Sequence, residues 1–156
     1  MILPAQHIRR RCLHYQLITP FEERAKITLA DGRSVTYGLG PASYDVRVAE
    51  DLLLYAGGPG VLGSTIERFS MPDDLQGIVH DKSSWARRFL LAQNTLIDPG
   101  WRGYLTLELT NNSANDIYIR SGDPIAQIAF HMLLEPTEQP YAGKYQDQEA
   151  GAQPPR

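Results

Sequence analysis

One strictly alternating run, from Tyr104 to Thr110, constrains the fold of this chain more than any other stretch. Its sequence, YLTLELT, places a leucine at every second position, which is the period of a β-strand with one buried face. The leucine side therefore predicts contact with a core, and Glu108 lies on the opposite side with the threonines. The pattern thus predicts a carboxylate that is held on a rigid strand and faces away from the core.

Short apolar or alternating runs, separated by glycine and proline, recur along the rest of the chain. The run from Ile27 to Tyr37 holds Asp31-Gly32 between two alternating segments, which predicts a hairpin. Further strands are predicted at 116–119 and 125–130, and residues 1–20 predict a short amphipathic helix followed by an extended segment. This spacing is typical of an all-β sandwich or barrel.

Length and composition exclude several classes of protein. The 156 residues predict one domain with a core of its own. The formal net charge of −3 argues against a general nucleic-acid-binding protein, whose surface is usually basic. No run approaches the ~18 apolar residues of a membrane span, and the start lacks the long apolar segment of a secretory signal. We therefore expect a soluble, cytoplasmic protein that binds no membrane.

The single cysteine, Cys12, excludes an internal disulfide and a zinc site of the CxxC type. We expect this thiol to be a small buried side chain, as free cysteines commonly are.

Hydroxyls and cations are grouped between positions 82 and 88. Lys82-Ser83-Ser84 is followed by Trp85-Ala86-Arg87-Arg88, which predicts the first turns of a short helix with a serine as its N-cap. The free N–H groups at a helix start attract anions, and the lysine and arginines add positive charge at the same place. A polyphosphate is therefore the predicted ligand of this segment.

Two other segments border the alternating strand or follow it. The stretch from Ile97 to Gly103 contains two glycines and a proline, and it predicts a turn that leads into the strand. From Glu135 onward the composition changes to Pro, Gln, Glu and Gly with few aliphatic residues. Such a tail cannot form a core alone, so we expect it to be mobile without a partner.

Three spaced motifs together resemble those of dCTP deaminases, within the trimeric dUTPase-like superfamily. They are Ser-Ser-x-Ala-Arg at 83–87, Ile-Asp-Pro-Gly-Trp-x-Gly at 97–103 and Leu-Glu-Leu at 107–109. Weaker likeness extends to Tyr-Asp-Val-Arg at 44–47 and Lys-Tyr-x-x-Gln at 144–148. The resemblance implies a dUTPase-like distorted β-barrel or jelly-roll with short helices, which assembles as a homotrimer with shared active sites. Residues 1–134 would form the β domain, and residues 135–156 would form a tail that closes over bound nucleotide.

The resemblance also implies a reaction, the hydrolytic deamination of dCTP to dUTP and ammonia. Zinc-dependent deaminases use an H-x-E and P-C-x-x-C set, which one cysteine cannot supply, so no protein-bound metal and no zinc is expected. A zinc-free route needs a carboxylate that takes a proton from water and returns it to the base. The resemblance gives that role to Glu108. It makes Ser83 the residue that positions the water and Arg87 the cation beside the phosphates and the active site.

Substrate-binding roles follow from the same resemblance. Asp98 would accept the 3′-hydroxyl of the sugar, and Trp101 would pack under the deoxyribose and leave no room for a 2′-hydroxyl. The triphosphate would be contacted by Lys82, Ser84, Lys144, Tyr145 and Gln148. Magnesium would be carried by the triphosphate itself, without a dedicated protein cage.

Two departures from the family pattern keep alternatives open. Lys82 stands where the family typically has arginine, which replaces a bidentate fork by a point charge. The segment 88–96 is shorter than in the bacterial enzymes, and it includes the base-recognition loop. Asp98 also occupies the place of the water-activating aspartate of dUTPases, although the C-terminus lacks their glycine-rich arginine motif. A dUTPase, a bifunctional enzyme that yields dUMP, and a non-catalytic nucleotide-binding regulatory protein are therefore the alternatives.

Overall fold

The computed structural model describes residues 1–155, and Arg156, the last residue of the predicted tail, lies outside the described residues. Over residues 1–155 the chain forms two short helices and twelve strands, which confirms the all-β prediction. The helices are α1 (Ala5–Tyr15) and α2 (Ser83–Ala86). The strands are β1 (Ile18–Thr19), β2 (Ala25–Thr28), β3 (Ser34–Leu39), β4 (Tyr44–Arg47), β5 (Leu52–Leu54), β6 (Val61–Ser70), β7 (Leu75–Asp81), β8 (Leu90–Ala92), β9 (Leu96–Ile97), β10 (Arg102–Asn111), β11 (Ile117–Ile119) and β12 (Pro124–Met132).

Within the described residues these strands form three antiparallel sheets. The largest has the order β2-β3-β4-β12-β7-β9, the second has the order β1-β6-β10-β8, and β5 pairs with β11 alone. Side chains from the two larger sheets share one hydrophobic core, to which the first contributes Val79 and Phe130 and the second contributes Phe69 and Leu107. A single core between antiparallel sheets is the arrangement that the short, punctuated strands predict.

The N-terminal predictions are confirmed. The helix α1 buries Ile8 and Cys12 in the core, so the lone thiol is indeed a buried side chain. The hairpin predicted around Asp31-Gly32 is formed by β2 and β3, in which Ile27 pairs with Val35. The turn between these strands becomes important below, because it reaches α2.

Strand β10 has the alternation that its sequence predicts. Leu105, Leu107 and Leu109 are buried, whereas Thr106 and Glu108 between them are half-buried. Because successive side chains point to opposite faces, the leucines pack into the core and the polar residues form an outer surface. This outer face of β10 is the base on which the candidate site is built.

The C-terminal segment pairs with β10 close to an irregularity in the ladder between β10 and β6. The ladder between β10 and β6 shifts register between Tyr104 and Thr106. At this point the N–H of Leu105 donates to the hydroxyl of Thr65 at 3.0 Å, and the N–H of Tyr104 donates to the carbonyl of Gln148 at 3.0 Å. The tail thus pairs with the edge of β10 opposite β6, where Gly103 bridges to Gln148.

The tail packs on its own chain, so the expected mobility without a partner is wrong. The N–H of Tyr141 donates to the carbonyl of Pro99 at 2.8 Å, and Gln148 forms a parallel bridge with Gly103. Few aliphatic residues are needed for this seating, because backbone and amide groups of the tail find hydrogen-bond partners on β10 and on the turn before it.

Candidate functional site

A cavity of about 340 Å³ opens beside the outer face of β10. Its walls come from β9 and the turn after it, from β6 and β10, and from the C-terminal segment. Residues from separate stretches of the sequence thus meet at one concave surface, as ligand sites commonly do. Five of the residues selected from the sequence line it together, namely Asp98, Trp101, Glu108, Tyr145 and Gln148.

Glu108 supplies a carboxylate to this cavity. Its backbone is fixed by β10 and by the N–H of Gln93, which donates to the Glu108 carbonyl at 2.9 Å. The Oε2 atom of Glu108 is buried and has no hydrogen-bond partner within residues 1–155. An unpaired buried carboxylate oxygen is unfavourable. Its place beside a cavity therefore leaves an acceptor available to a bound molecule or to water.

The turn between β9 and β10 places Asp98 and Trp101 on the cavity wall. The N–H of Trp101 donates to the carbonyl of Asp98 at 3.1 Å. Gly100, between them, has a φ of +84°, a conformation that glycine adopts without strain. Trp101 is only 7% exposed, so its indole is a rigid apolar surface close to the Asp98 carboxylate in sequence and in space.

Gln148 anchors the tail to β10. Its side-chain Nε2 donates to the carbonyl of Tyr104 at 2.8 Å and to the hydroxyl of Thr106 at 2.9 Å. Gly103 has a φ of +145°, and a Cβ added there would lie 2.7 Å from the backbone nitrogen of Gln148. Only glycine allows this approach. A contact between the Gln148 side chain and a phosphate requires its amide to give up these hydrogen bonds. That contact stays a prediction.

Lys144 and Tyr145, which precede this anchor in the tail, occupy different positions relative to the cavity. Tyr145 lines it, and the Tyr145 carbonyl accepts a hydrogen bond from the indole of Trp101 at 2.7 Å. Lys144 is exposed, lies outside the cavity lining, and places its ammonium 5.0 Å from the centroid of the Tyr145 ring. A long exposed side chain at the rim can extend toward a charged ligand.

Among the lining residues that were not selected from the sequence are Thr106, Tyr141 and Gln153. Thr106 lies on the same face of β10 as Glu108, and the period of the strand was a sufficient signal for it. Tyr141 uses its hydroxyl to accept the N–H of Tyr145 at 3.1 Å. Gln153 donates its N–H to the Thr106 hydroxyl at 3.0 Å. The last two belong to the tail, and nothing in their local sequence shows that they fold back.

Residues 82–88, which we call the serine turn, do not line this cavity. The carbonyl of Lys82 accepts hydrogen bonds from the N–H groups of Trp85 and Ala86, both at 2.9 Å, so α2 begins at Ser83. Lys82 is therefore the N-cap and makes no side-chain cap, and the predicted serine N-cap is wrong. Ser83 and Arg87 are exposed, as residues that contact a ligand from outside the chain must be.

Lys82 has a buried partner. Its ammonium forms an ion pair with Asp45, and both residues are 7% exposed. The other carboxylate oxygen of Asp45 accepts a hydrogen bond from the side chain of Gln127 at 3.1 Å. A buried ammonium is stable only when it is paired in this way. In the single chain the Lys82 charge is thus held inward, and its contact with a triphosphate stays a prediction.

Within residues 1–155, no three His, Cys, Asp or Glu side chains are grouped so that they could hold a metal ion. No helix in the same range has the length and apolar character that crossing a membrane requires.

Structures of phage dUTPases resemble this chain in fold. The dUTPase from phage phi11 of S. aureus aligns with a TM-score of 0.58 over 76% of this chain and 95% of that one, at 17% sequence identity. The dUTPase of Staphylococcus bacteriophage 80alpha, in complex with dUpNHpp, aligns with a TM-score of 0.55 over 63% of this chain and 81% of that one, at 18% identity. At these identities the likeness establishes the dUTPase-like fold alone.

Sequence relatives are more specific. The family model for dCTP deaminase-like proteins matches residues 50–133. A dCTP deaminase of Thermococcus sibiricus is 34% identical over 94% of this chain and 92% of its own length. A dCTP deaminase of Campylobacter fetus is 32% identical over 91% of each chain. The chain belongs to the dCTP deaminase-like family.

Proposed function

We propose that this protein deaminates dCTP by hydrolysis, giving dUTP and ammonia. The reaction would take place in the cytoplasm, where free deoxynucleotides are found. The observation that carries the proposal is the buried, unpartnered Oε2 of Glu108, which lies in one cavity with Asp98 and Trp101. A carboxylate in that state has an unused acceptor where water and a base can be held together. The family relationship supplies the substrate class.

The chemistry requires water to add to C4 of the base. Glu108 takes a proton from the water as the C–O bond forms, and it returns the proton to the base, so that N3 is protonated. The proton of the new C4 hydroxyl is then transferred to the amino group, the C4–N bond breaks, and ammonia leaves a C4 carbonyl. Ser83 positions the water, and Arg87 stands beside the phosphates and the reacting base. Positioned acid–base groups of this kind contribute about 10²–10⁴-fold to a rate.

The sugar is recognised at the turn before β10. We assign Asp98 as the acceptor for the 3′-hydroxyl. Trp101 packs under the deoxyribose, and its rigid, buried indole leaves no space for a 2′-hydroxyl. The pocket thus rejects a sugar with a 2′-hydroxyl by steric exclusion. This discrimination does not depend on the net gain of a hydrogen bond.

The triphosphate is bound by Ser84 and Lys82 from the serine turn and by residues of the tail, Lys144, Tyr145 and Gln148. Magnesium bound to the triphosphate neutralises part of its charge. The tail then acts as a lid: the backbone of Gln148 stays paired with β10, while its side-chain amide exchanges its hydrogen bonds for the phosphate.

Two copies of the chain are needed to assemble the whole site. Glu108, Asp98 and Trp101 line the cavity of one chain, whereas Ser83 and Arg87 are exposed elsewhere on the same chain. We propose that a homotrimer joins them, so that the serine turn of one subunit faces the cavity of its neighbour. Closed cyclic assemblies with heterologous interfaces allow each cavity to be completed in the same way.

A second candidate is cleavage of the triphosphate, alone or after deamination. Asp98 lines the same cavity as Glu108, and an aspartate at this place could activate water toward phosphorus instead of C4. The deaminase is favoured because the unpartnered oxygen belongs to Glu108.

Product analysis separates the candidates. The purified protein is incubated with dCTP and magnesium, the nucleotides are resolved by chromatography, and ammonia and pyrophosphate are assayed in parallel. We expect one ammonia per dUTP and little pyrophosphate. dUMP as the main product would identify a bifunctional enzyme. Pyrophosphate from dUTP, with dCTP untouched, would identify a dUTPase. Nucleotide binding without any product would indicate a regulatory protein.

A further inference from the structure

The turn between β2 and β3 contacts α2, which carries the serines proposed to bind phosphate. The Nη1 atom of Arg33 donates a hydrogen bond to the backbone carbonyl of Ser84 at 2.9 Å. The guanidinium carbon of Arg33 lies 5.0 Å from the centroid of the Trp85 ring, within the range of cation–π attraction. Arg33 therefore holds both a peptide group and a side chain of the short helix.

Asp31 in the same turn organises these contacts. Its carboxylate accepts the N–H of Arg33 at 3.1 Å, the Nε of Arg33 at 2.8 Å and the Nη1 of Arg88 at 2.5 Å. Arg88 also faces the Trp85 ring, at 5.7 Å. Desolvation raises the pKa of Asp31, but the hydrogen bonds and charges of the two arginines outweigh it and lower the pKa overall. The carboxylate is thus ionised at neutral pH and joins two guanidinium groups around one indole.

The helix α2 depends on such contacts because it is a single turn without a side-chain cap. One helical turn is not stable by itself. The indole of Trp85 is buried and donates to the carbonyl of Pro124 at 2.7 Å, which fixes one side of the turn. Arg33 supplies the contact from the other side, on the peptide of Ser84.

Two donors at this contact are unused. The Oγ of Ser84 and the Nη2 of Arg33 are both buried, and neither has a hydrogen-bond partner within residues 1–155. Unsatisfied buried donors in a native fold call for a physical reason. A small rotation of α2 toward an anion would give the Ser84 hydroxyl an acceptor, while Arg33 still donates to the Ser84 carbonyl.

We propose that Arg33 is a positioning residue for the substrate triphosphate: it sets the orientation of the Ser84 peptide and of α2 without touching the nucleotide. The inference rests on the proposed function, because it assumes that α2 binds the phosphates. A planar guanidinium is needed, since a lysine can donate to the carbonyl but cannot, in the same position, also stack on the indole and donate from a second, fixed nitrogen to Asp31. Misplacement of a binding group by about 1 Å can cost on the order of 10²-fold in activity.

The test compares Arg33→Ala and Arg33→Lys with the intact protein, by following ammonia release from dCTP with magnesium. We expect KM to rise about 10-fold for Arg33→Ala and about 3-fold for Arg33→Lys, with kcat within about 3-fold of its original value. Arg9→Ala is the matched control, because Arg9 forms an exposed pair with Glu23 outside α2 and the hairpin turn. Its KM should be unchanged.

Binding of tripolyphosphate, measured by calorimetry, gives a readout that does not depend on catalysis. Its Kd should rise in parallel with KM in the two Arg33 variants and not in Arg9→Ala. A lower melting temperature with unchanged KM and Kd would show a purely structural role and would overturn the proposal. If Arg33→Ala does not fold, Arg33→Lys decides. An intact protein that releases no ammonia contradicts the proposed function instead, and tripolyphosphate binding still tests Arg33.

Discussion

The indole N–H of Trp101 donates a hydrogen bond to the backbone carbonyl of Tyr145, with 2.7 Å between nitrogen and oxygen. Trp101 is a wall of the cavity and Tyr145 belongs to the tail, so one bond joins the proposed sugar pocket to the proposed lid. A buried indole N–H without a partner would be unfavourable. The seated tail therefore satisfies a group of the pocket, and pocket and tail are expected to respond together to mutation.

Replacing Glu108 by glutamine tests the acid–base assignment. The amide keeps the shape of the side chain but cannot accept a proton from water. We expect deamination to fall about 10²-fold or more while dCTP binding is retained. Ammonia release gives the rate, and calorimetry gives the affinity. Turnover close to that of the intact protein would remove Glu108 from the mechanism.

Gly103→Ala tests the seating of the tail. The added Cβ would lie 2.7 Å from the backbone nitrogen of Gln148, so the tail must move away from β10. We expect faster proteolysis of the tail and a higher KM for dCTP. Gly122→Ala is the matched control, because Gly122 also has a positive φ, +89°, but no atom lies within 4 Å of its added Cβ.

Both glycine variants carry the backbone strain of an alanine at positive φ, and Gly103→Ala alone displaces the tail. Equal effects on KM in the two variants would mean that strain, and not tail displacement, causes the change. A tail that remains protease-resistant in Gly103→Ala would contradict the proposed anchoring at Gln148.

The buried pair of Lys82 and Asp45 predicts strong coupling in stability. Asp45→Asn leaves the ammonium without its counter-charge, and breaking a buried pair from one side costs about 3–5 kcal/mol. Lys82→Met in the same chain should recover much of that loss, because no unpaired charge is then buried. Urea unfolding of the two single variants and the double variant gives the coupling energy. Additive losses would show that the pair is not desolvated.

Burial raises the pKa of the Cys12 thiol to about 12, and a backbone hydrogen bond from Ile18 offsets this only in part. The folded protein should therefore resist thiol-specific reagents at pH 8, whereas the urea-unfolded chain should react at once. The folded-state pKa lies above the unfolded value of about 8.5. The contribution of the neutral thiol to stability is thus complete below pH ~8.5 and is lost as pH rises toward about 12.

Thermal unfolding across alkaline pH checks the second part of this prediction, with Cys12→Ala as the reference that lacks the titrating group. Rapid labelling of the folded protein at pH 8 would show that the thiol is accessible through local opening.

The alternation of leucines in β10 was enough to predict the face on which Glu108 lies, because a strand has only two faces and the leucines occupy one of them. Lys82 shows what periodicity cannot supply. Its partner Asp45 lies 37 residues earlier on β4, and only the folded sheet brings the two together. The turn composition also favoured a serine cap, but the hydrogen bonds that start α2 begin one residue earlier, at Lys82.

The tail was misjudged for a related reason. Its composition lacks the aliphatic residues that hold a segment in a core, and that observation predicts mobility. The seating depends instead on hydrogen bonds from Gln148 to Tyr104 and Thr106. Those acceptors lie along the part of β10 that β8 does not cover, and this long-range pairing has no signature in the local sequence.

The alternation of β10 has an evolutionary consequence. Leu105, Leu107 and Leu109 are buried in the core, although Leu105 also borders the cavity, and Thr106 and Glu108 line the cavity from the other face of the strand. Selection for a stable fold and selection for a new substrate therefore act mainly on different positions of the same ten-residue strand. A lineage could redesign its chemistry by drift at the even positions while the odd positions remain under purifying selection. Descendants with altered substrates would then still share every leucine of this strand.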